Sequence, residues 1–287
     1  MATRQGQALG RIAAAPAVAA LAAWSIVPLA LAFYYAFLHY KLDDPDNTFF
    51  AGLDNFKYFI GDPFFARDLF NTVALVALVL VITVVGGVLL ALLLDRPFYG
   101  QGIVRVLVIS PFFIMPTVSA LVWKNLMMHP VYGVFAHIWR SFGLQPVDWF
   151  GSLPLTSVAI VVAWQWLPFA TLILLTALQS LDEEQRDAAQ MDGASSLNYF
   201  RFIVLPHLSR PMTVVILIET IFLLNVFAEI KVTSVGGIAG NLTYLVFSQL
   251  NDANDVGEAA AGGLIAVVLA NIVAAFLVRL IGRTLET

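Results

Sequence analysis

Six long apolar segments recur along the chain, and they limit what it can fold into. Each has about 20 or more residues with few charges, the length that an α-helix needs to cross the hydrocarbon core of a bilayer. We predict membrane-spanning helices at about 12–38, 70–94, 106–128, 155–178, 211–232 and 259–281. Pro111 and Pro116 lie inside the third segment and predict a kink there. The predicted fold class is all-α, a polytopic membrane protein with six transmembrane helices.

The composition excludes several other classes of function. Hydrophobic residues make up 60% of the 287 residues and charged residues 12%, whereas a soluble domain carries about 25% charged residues. The chain has no cysteine, and its four histidines are scattered, so we expect no metal site. It has no phosphate-binding GxxxxGK[ST] loop. We therefore expect a polytopic membrane protein that is not an enzyme, with the lipid bilayer as its solvent, no cofactor bound by this chain and no nucleic-acid partner.

Basic residues indicate the orientation in the membrane. Six spans place both termini on one side, where the predicted loops and ends hold Arg4, Arg11, Arg96, Arg105, Arg186, Arg201, Arg210, Arg279 and Arg283. The loops of the opposite side hold only Lys41, Lys57, Arg67 and Arg140. An excess of basic residues marks the cytoplasmic side. We predict that both termini are cytoplasmic and that the first span is uncleaved, because its apolar run is longer than a signal peptide core.

The polar stretch 179–210, between the fourth and fifth spans, has an ordered pattern. A helix is expected to start at Asp187-Ala188-Ala189, and Gly193 to allow a sharp turn because it has no Cβ. A second helical stretch is predicted from the i, i+3, i+4 spacing of Phe200, Ile203 and Val204. Pro206 is expected to interrupt it before the next span. Two short helices hinged at a glycine form a compact knob suited to docking into a partner.

This stretch resembles the EAA loop of ABC-transporter membrane subunits. The matching positions are Asp187, Ala188, Ala189, Asp192, Gly193, Ala194, Phe200, Ile203, Leu205 and Pro206. Asp187 departs from the pattern, which has glutamate there, and the charge could instead serve the dipole of a helix N-terminus. The resemblance implies the permease fold of a type I ABC importer in the bacterial cytoplasmic membrane. The implied partners are a second permease, two copies of an ATP-binding subunit that carries ATP and Mg²⁺, and an external solute-binding protein.

Other stretches are similar to the sugar-permease branch of the same family. GLDNFKYFIGDPFF looks like its first external loop, and FAEIKVTSVGGIAGNLTYLVF is similar to permeases for polyols such as sorbitol and mannitol. The resemblance implies import of a carbohydrate, in particular a sugar alcohol. Asn241-Leu242-Thr243 within the second stretch also matches a glycosylation sequon, which is a weak motif on its own.

Polar and aromatic residues within the fourth and fifth spans are candidates for the solute path. They are Trp164, Gln165, Glu219, Asn225 and Glu229. Asn225 and Glu229 are four residues apart and would share one face of a helix. Polar groups at this depth usually face a cavity or another helix, so hydrogen bonding between helices is the alternative. The two glutamates could line the path or pair with the second permease.

Two other transport functions stay open at this stage. An ion-coupled secondary transporter would need no docking loop, and only Glu219 and Glu229 favour it, since the sequence has no convincing internal repeat. An ABC permease for another sugar or solute class, such as a peptide or an amino acid, is the alternative within the family.

Overall fold

A computed structural model describes the backbone of residues 4–285, and the side chains of all of these except 4–12, 183, 277, 278 and 280–285. The first half of the chain contains α1 (Arg4–Ala36), β1 (Leu38–His39), β2 (Phe49–Phe50), α2 (Asp54–Gly61), α3 (Phe65–Asp95), α4 (Gln101–Ile109), a 3₁₀ turn (Ser110–Phe113), α5 (Pro116–Val122), a π-turn (Trp123–Met127), α6 (Val134–Ser141) and α7 (Trp149–Ser152). The second half contains α8 (Pro154–Gln179), α9 (Glu183–Met191), α10 (Ser196–Tyr199), a π-turn (Phe200–Val204), α11 (Leu205–Leu223), α12 (Ala228–Thr233), α13 (Gly236–Ala239), α14 (Leu242–Asn251) and α15 (Val256–Leu285).

Five helices of the described chain are long and apolar enough to cross a membrane. They are Ala13–Ala36, Phe65–Asp95, Pro154–Gln179, Ser196–Leu223 and Val256–Phe276. A sixth crossing is formed only if the bent pair Gln101–Phe113 and Pro116–Met127 counts as one span. The architecture is therefore that of an all-α polytopic membrane protein with a single short β-pair among the described residues.

The predicted third span, 106–128, differs from the structure because it is not one kinked helix. The chain bends by 108° between its two halves. Ile114 and Met115 are extended at the corner, with ψ angles of 133° and 137°. The residue before a proline is disfavoured in the helical region, so Met115 ends one helix and Pro116 begins the next. The prolines predicted an interruption, and the structure shows a complete break.

The predicted fifth span, 211–232, also differs. The helix ends at Leu223, residues 224–227 are non-helical, and α12 follows as a separate helix. The freed carbonyls find side-chain partners: Asn241 Nδ2 donates to Val226 O at 2.6 Å, and Thr243 Oγ1 donates to Leu224 O at 3.1 Å. Asn241 is fully buried, so the apparent sequon contributes to structure here and is not a glycosylation site.

The chain divides into two compact units. One comprises residues 4–65 together with Leu245–Val268. In this unit β1 pairs antiparallel with β2, and Asn55 Nδ2 donates to Ala36 O at 2.9 Å and to Leu38 O at 2.7 Å. The first bond satisfies the carbonyl of Ala36, the last residue of α1, which has no partner within the helix, and the second reaches Leu38 of β1. Gly262 on α15 lies against the buried Phe59 ring, where an added Cβ would clash.

The other unit comprises Ala66–Tyr244 and residues 269–285, and α8 lies at the centre of its core. Near its start, α8 packs Val158 and Val162 against Leu75 and Val79 of α3. Near its end, Leu174 and its neighbours pack against α11 and the segment before it. Most of α8 is therefore buried by its own chain, and this helix supports the elements that pack on both of its ends.

Candidate functional site

The turn between α9 and α10 is a Schellman motif centred on Gly193. Gly193 has a φ of +73°, its N–H donates to Gln190 O at 3.0 Å, and the Ala194 N–H donates to Ala189 O at 2.9 Å. This pair of bonds closes the C-terminus of α9. No atom lies within 4 Å of the position that a Cβ would take at Gly193. The glycine is therefore required by the backbone angle and not by space.

The helix that was expected to start at Asp187 starts earlier. It begins at Glu183, after Asp182 in extended conformation. Asp187 therefore lies in the second turn, where the helix dipole offers little stabilisation, since that effect is confined to the first turn. Asp187 and Ala188 are both exposed, so the carboxylate is available to a partner.

Pro206 does not interrupt the second helix of the segment, contrary to expectation. Ser195 caps α10 by accepting the Asn198 N–H, and the helix then runs without a break from Ser196 to Leu223. The π-turn Phe200–Val204 precedes the proline, and the Leu205 N–H donates to Phe200 O, five residues back. This wider turn accommodates a ring that would clash in a regular α-helix.

The residues matched to the coupling motif divide into inward and outward groups. Ala189 is buried, and Phe200 and Ile203 are half-buried. Phe200 packs with Val204 in the apolar cluster that includes the end of α8. The exposed members are Asp187, Ala188, Asp192, Gly193, Ala194, Leu205 and Pro206.

Three large apolar side chains of the same segment were missed by the sequence reasoning. Met191, Leu197 and Phe202 are exposed by 89%, 73% and 67%. They lie just before the Gly193 turn, at the start of α10 and in the π-turn. Exposed apolar side chains clustered on one segment are typical of an interaction surface. The signal in the sequence was their position within the motif, between its matched residues.

Gln165, one of the solute-path candidates, hydrogen-bonds to another part of the chain. It is buried, and its Nε2 donates to Ile114 O at 3.0 Å, at the corner between the 3₁₀ turn and α5. The amide thus satisfies a carbonyl freed by the break before Pro116. Gln165 therefore makes a hydrogen bond between helices, which the sequence analysis gave as the alternative to a role in the solute path.

Asn225 and Glu229 do not share a helix face, because the chain is non-helical between α11 and α12. Asn225 is exposed, and its Nδ2 donates to Ile221 O at 2.8 Å. Such a side-chain bond competes with the backbone and suits a residue just past a helix end. Glu229 is buried in the first turn of α12.

Glu219 is fully buried and joins two spanning helices. Its Oε2 lies 2.5 Å from Thr83 Oγ1 on α3, and its Oε1 has no hydrogen-bond partner. A polar contact of this kind ties α11 to α3 within the apolar core. Glu219 is therefore an interior contact between helices and is not on an exposed surface.

The two tryptophans of α8 have different surroundings. Trp164 lies 5.7 Å from Trp123, edge to face, in a separate apolar cluster. Trp166, which was not among the predicted path residues, lies 5.8 Å from Phe112 and 5.1 Å from Phe222. Phe112 lies two residues before Ile114, where the first helix break begins, and Phe222 lies two residues before Leu224, where the second begins.

We call Phe112, Phe113, Trp166, Phe169 and Phe222 the aromatic cluster. Phe112, Phe113 and Phe222 are exposed, as is Asn225 three residues after Phe222. The cluster brings the two helix breaks together at the middle of α8. It offers aromatic faces at the two breaks, close in sequence to an exposed amide.

Helices long enough to span a membrane, one pair of them bent at a break, together with a capped turn on an exposed polar segment, fit a membrane transport component. A family model described as "Binding-protein-dependent transport system inner membrane component" matches residues 87–287. The chain belongs to this family. It is a transporter subunit and not an enzyme, and ATP hydrolysis in such a transporter is carried out by a separate subunit.

Relatives and solved structures agree with the family. The chain is 30% identical over 270 residues to the trehalose/maltose transport system permease protein MalF of Thermococcus litoralis, covering 93% of this chain and 90% of that protein. It is 35% identical to the protein named "Probable ABC transporter permease protein y4oQ" of Sinorhizobium fredii, covering 76% and 70%. A chain of a bacterial alginate ABC transporter, crystallised with a periplasmic protein bound to an alginate pentasaccharide, superposes with a TM-score of 0.77 at 22% identity, covering 94% and 92%. At this identity the superposition supports the fold alone.

The contact between Thr83 and Glu219 predicts a non-additive effect on stability. Thr83→Val leaves a buried carboxyl group without a partner on either oxygen and should destabilise the chain by about 1–3 kcal/mol. Adding Glu219→Leu removes the unpartnered group, so the double variant should be more stable than Thr83→Val alone. Thermal unfolding in detergent, followed by tryptophan fluorescence, measures both.

Thr176→Val is the matched control, because the exposed Thr176 hydroxyl donates only to Leu172 O within its own helix. It should change stability by less than about 0.5 kcal/mol. If the double variant is less stable than Thr83→Val, this result would contradict the proposed role of the hydrogen bond between Thr83 and Glu219.

Proposed function

We propose that the chain is one of two permease subunits of an ATP-driven importer for a carbohydrate. Its partners are a second permease, two copies of an ATP-binding subunit and an external solute-binding protein. The single observation that supports this most is the coupling segment, residues 182–206, whose capped Gly193 turn presents exposed apolar and acidic side chains outside the core. Both termini and the coupling segment face the cytoplasm, as the distribution of arginines favours.

The coupling segment transmits force along one continuous helix. An ATP-binding subunit that holds the exposed Met191 and Leu197 also holds the start of the helix that runs from Ser196 to Leu223. Movement of the segment is passed along that helix to the non-helical stretch 224–227. Such movement switches the permease between two conformations whose populations are biased by the nucleotide on the partner.

The solute path passes the aromatic cluster. Irregular backbone at membrane depth is tolerated where it is buried in protein or lines a cavity, and both helix breaks meet at this cluster. Aromatic faces beside the exposed amide of Asn225 suit a neutral solute with many hydroxyl groups. The solute is therefore a neutral carbohydrate, which agrees with the relative named for trehalose and maltose.

Within the carbohydrates, the solute is a sugar alcohol such as sorbitol or mannitol. This narrower proposal is supported by the similarity of the stretch from Phe227 to Phe247 to polyol permeases. An ion-coupled transporter has no support from the structure, because Glu219 is enclosed by its contact with α3.

The effect of a substitution at Gly193 should depend on how readily the new residue adopts a positive φ angle, and not on the size of its side chain. Asparagine adopts positive φ more readily than other residues with a Cβ, whereas a β-branched residue there is a strong outlier. With the ATP-binding subunits co-expressed, Gly193→Asn should retain subunit binding and solute uptake within about twofold of wild type, and Gly193→Val should lower both roughly fivefold or more. Co-purification from membranes and uptake into vesicles measure these quantities.

Gly102→Val is the control, because Gly102 has equally open surroundings without a positive φ. Equal binding by the Asn and Val variants would contradict the role of the turn. If no ATP-binding subunit co-purifies with the wild-type chain, the proposed function itself is wrong.

The aromatic cluster predicts which tryptophan affects transport. In the assembled transporter with its binding protein, uptake of sorbitol and mannitol should exceed that of trehalose, maltose and an amino acid.

Trp166→Leu should reduce uptake of the preferred solute several-fold in complexes of wild-type composition. Trp164→Leu, which removes a ring packed on Trp123, should lower thermal stability but keep the uptake per assembled complex.

Uptake of disaccharides in preference to polyols would contradict the proposal that the solute is a sugar alcohol. It would leave the broader proposal of a carbohydrate importer unchanged. Preferred uptake of the amino acid would contradict the proposal that the solute is a carbohydrate. Equal losses of uptake from the two tryptophan variants would contradict a path at the aromatic cluster.

A further inference from the structure

His207 joins the start of α11 to the end of α8. Its ring Nε2 lies 2.8 Å from Ala177 O and 3.3 Å from Ser180 Oγ. Ala177 is in the last turn of α8, and Ser180 is the residue directly after that helix. The ring is half-buried, one residue after Pro206, and no matched position of the coupling motif includes it.

The geometry assigns the proton of the histidine ring. Ala177 O can only accept, so Nε2 must carry hydrogen to bond with it at 2.8 Å. The Ser180 hydroxyl also donates to Ala177 O, at 2.7 Å, and is therefore not needed as a donor to the ring. The Ala177 carbonyl in the last turn of α8 also accepts the Ser180 N–H at 3.1 Å, so the histidine adds a further bond to it, supplied from another helix.

This bond closes the coupling segment at its base. Ala177 and His207 are 30 residues apart, and the chain between them leaves α8, forms α9, turns at Gly193 and returns through α10. The apolar side chains of Val204 and Leu208 pack on the same end of α8. His207 adds a directional bond between the two ends of the segment, which apolar packing does not provide.

The first helix of the segment, α9, borders a cavity. A cavity of about 880 Å³ lies between it and the ends of α3 and α8, with Asp95, Arg96, Gln179 and Arg186 among its lining residues. The cavity separates α9 from the ends of these two helices, whereas Phe200 and Val204, near the end of the segment, pack against the end of α8. We therefore expect the contacts at the base of the segment, including the His207 bond, to govern how it moves relative to α8.

We propose that His207 is a positioning residue for energy coupling. It makes the base of the coupling segment move together with α8, the helix that carries Gln165 and Trp166, as well as with α11. The proposal rests on the proposed function, in which an ATP-binding subunit drives the segment. Without the bond, the segment still binds its partner, but part of its movement is lost before it reaches α8.

The test compares His207→Gln with His207→Leu in the complete transporter. A glutamine amide can place a donor near the position of Nε2, whereas leucine of similar size cannot donate. Both variants should bind the ATP-binding subunits as the wild type does and keep the basal ATPase rate. Solute imported per ATP hydrolysed should fall about three- to tenfold in His207→Leu and be largely restored in His207→Gln. His137→Leu, which removes an exposed histidine of α6, is the control.

Wild-type transport per ATP in His207→Leu would overturn the positioning role while leaving the proposed function intact. Equal losses in the Leu and Gln variants would also overturn it, because the donor would then not matter. Failure of the wild-type chain to bind an ATP-binding subunit would instead reject the proposed function on which it rests.

Discussion

The backbone groups freed at two helix breaks must find partners inside the apolar core, and the second unit is organised around this requirement. No water is available in lipid, so every unpaired carbonyl there costs several kcal/mol. Gln165 supplies the donor at the corner before Pro116. Asn241 and Thr243 supply the donors at the stretch after Leu223. Because these donors come from other elements, the shape of each break is fixed by tertiary contacts and can change when those contacts move.

The position of the coupling segment gives these breaks a functional meaning. Its second helix is continuous with α11 and ends where the second break begins. The Trp166 ring contacts the residues preceding both breaks. Under the proposed function, a displacement at one end of α11 would reach irregular backbone and aromatic side chains at the other end. This arrangement fits the proposed permease driven by a separate ATP-binding subunit.

The sequence predicted the features that depend on composition and failed on those that depend on pairing. Apolar length located α3 within a few residues at each end and identified α8, because hydropathy directly reports a preference for lipid. Proline at 116 indicated a lost hydrogen bond but not a bend of 108°, and proline at 206 gave no sign that a π-turn accommodates it. The role of Asn241 was hidden, because its partner, Val226 O, is a backbone atom without a sequence signature. The helix period could not separate Trp164 from Trp166, since the choice depends on where the two breaks lie.

The most direct test of the account is a cross-link from the coupling segment to a separate ATP-binding subunit. The chain has no cysteine, so Met191→Cys introduces a unique thiol at a site that is 89% exposed beside the Gly193 turn. Ile138→Cys on α6 provides an exposed thiol far along the chain from the segment. With a short thiol–amine cross-linker in native membranes, the account predicts a covalent adduct of the Met191→Cys chain with the ATP-binding subunit, an adduct yield that changes with nucleotide, and no such adduct for Ile138→Cys. An unmodified ATP-binding subunit with the Met191→Cys chain, in membranes where the transporter is active, would contradict it.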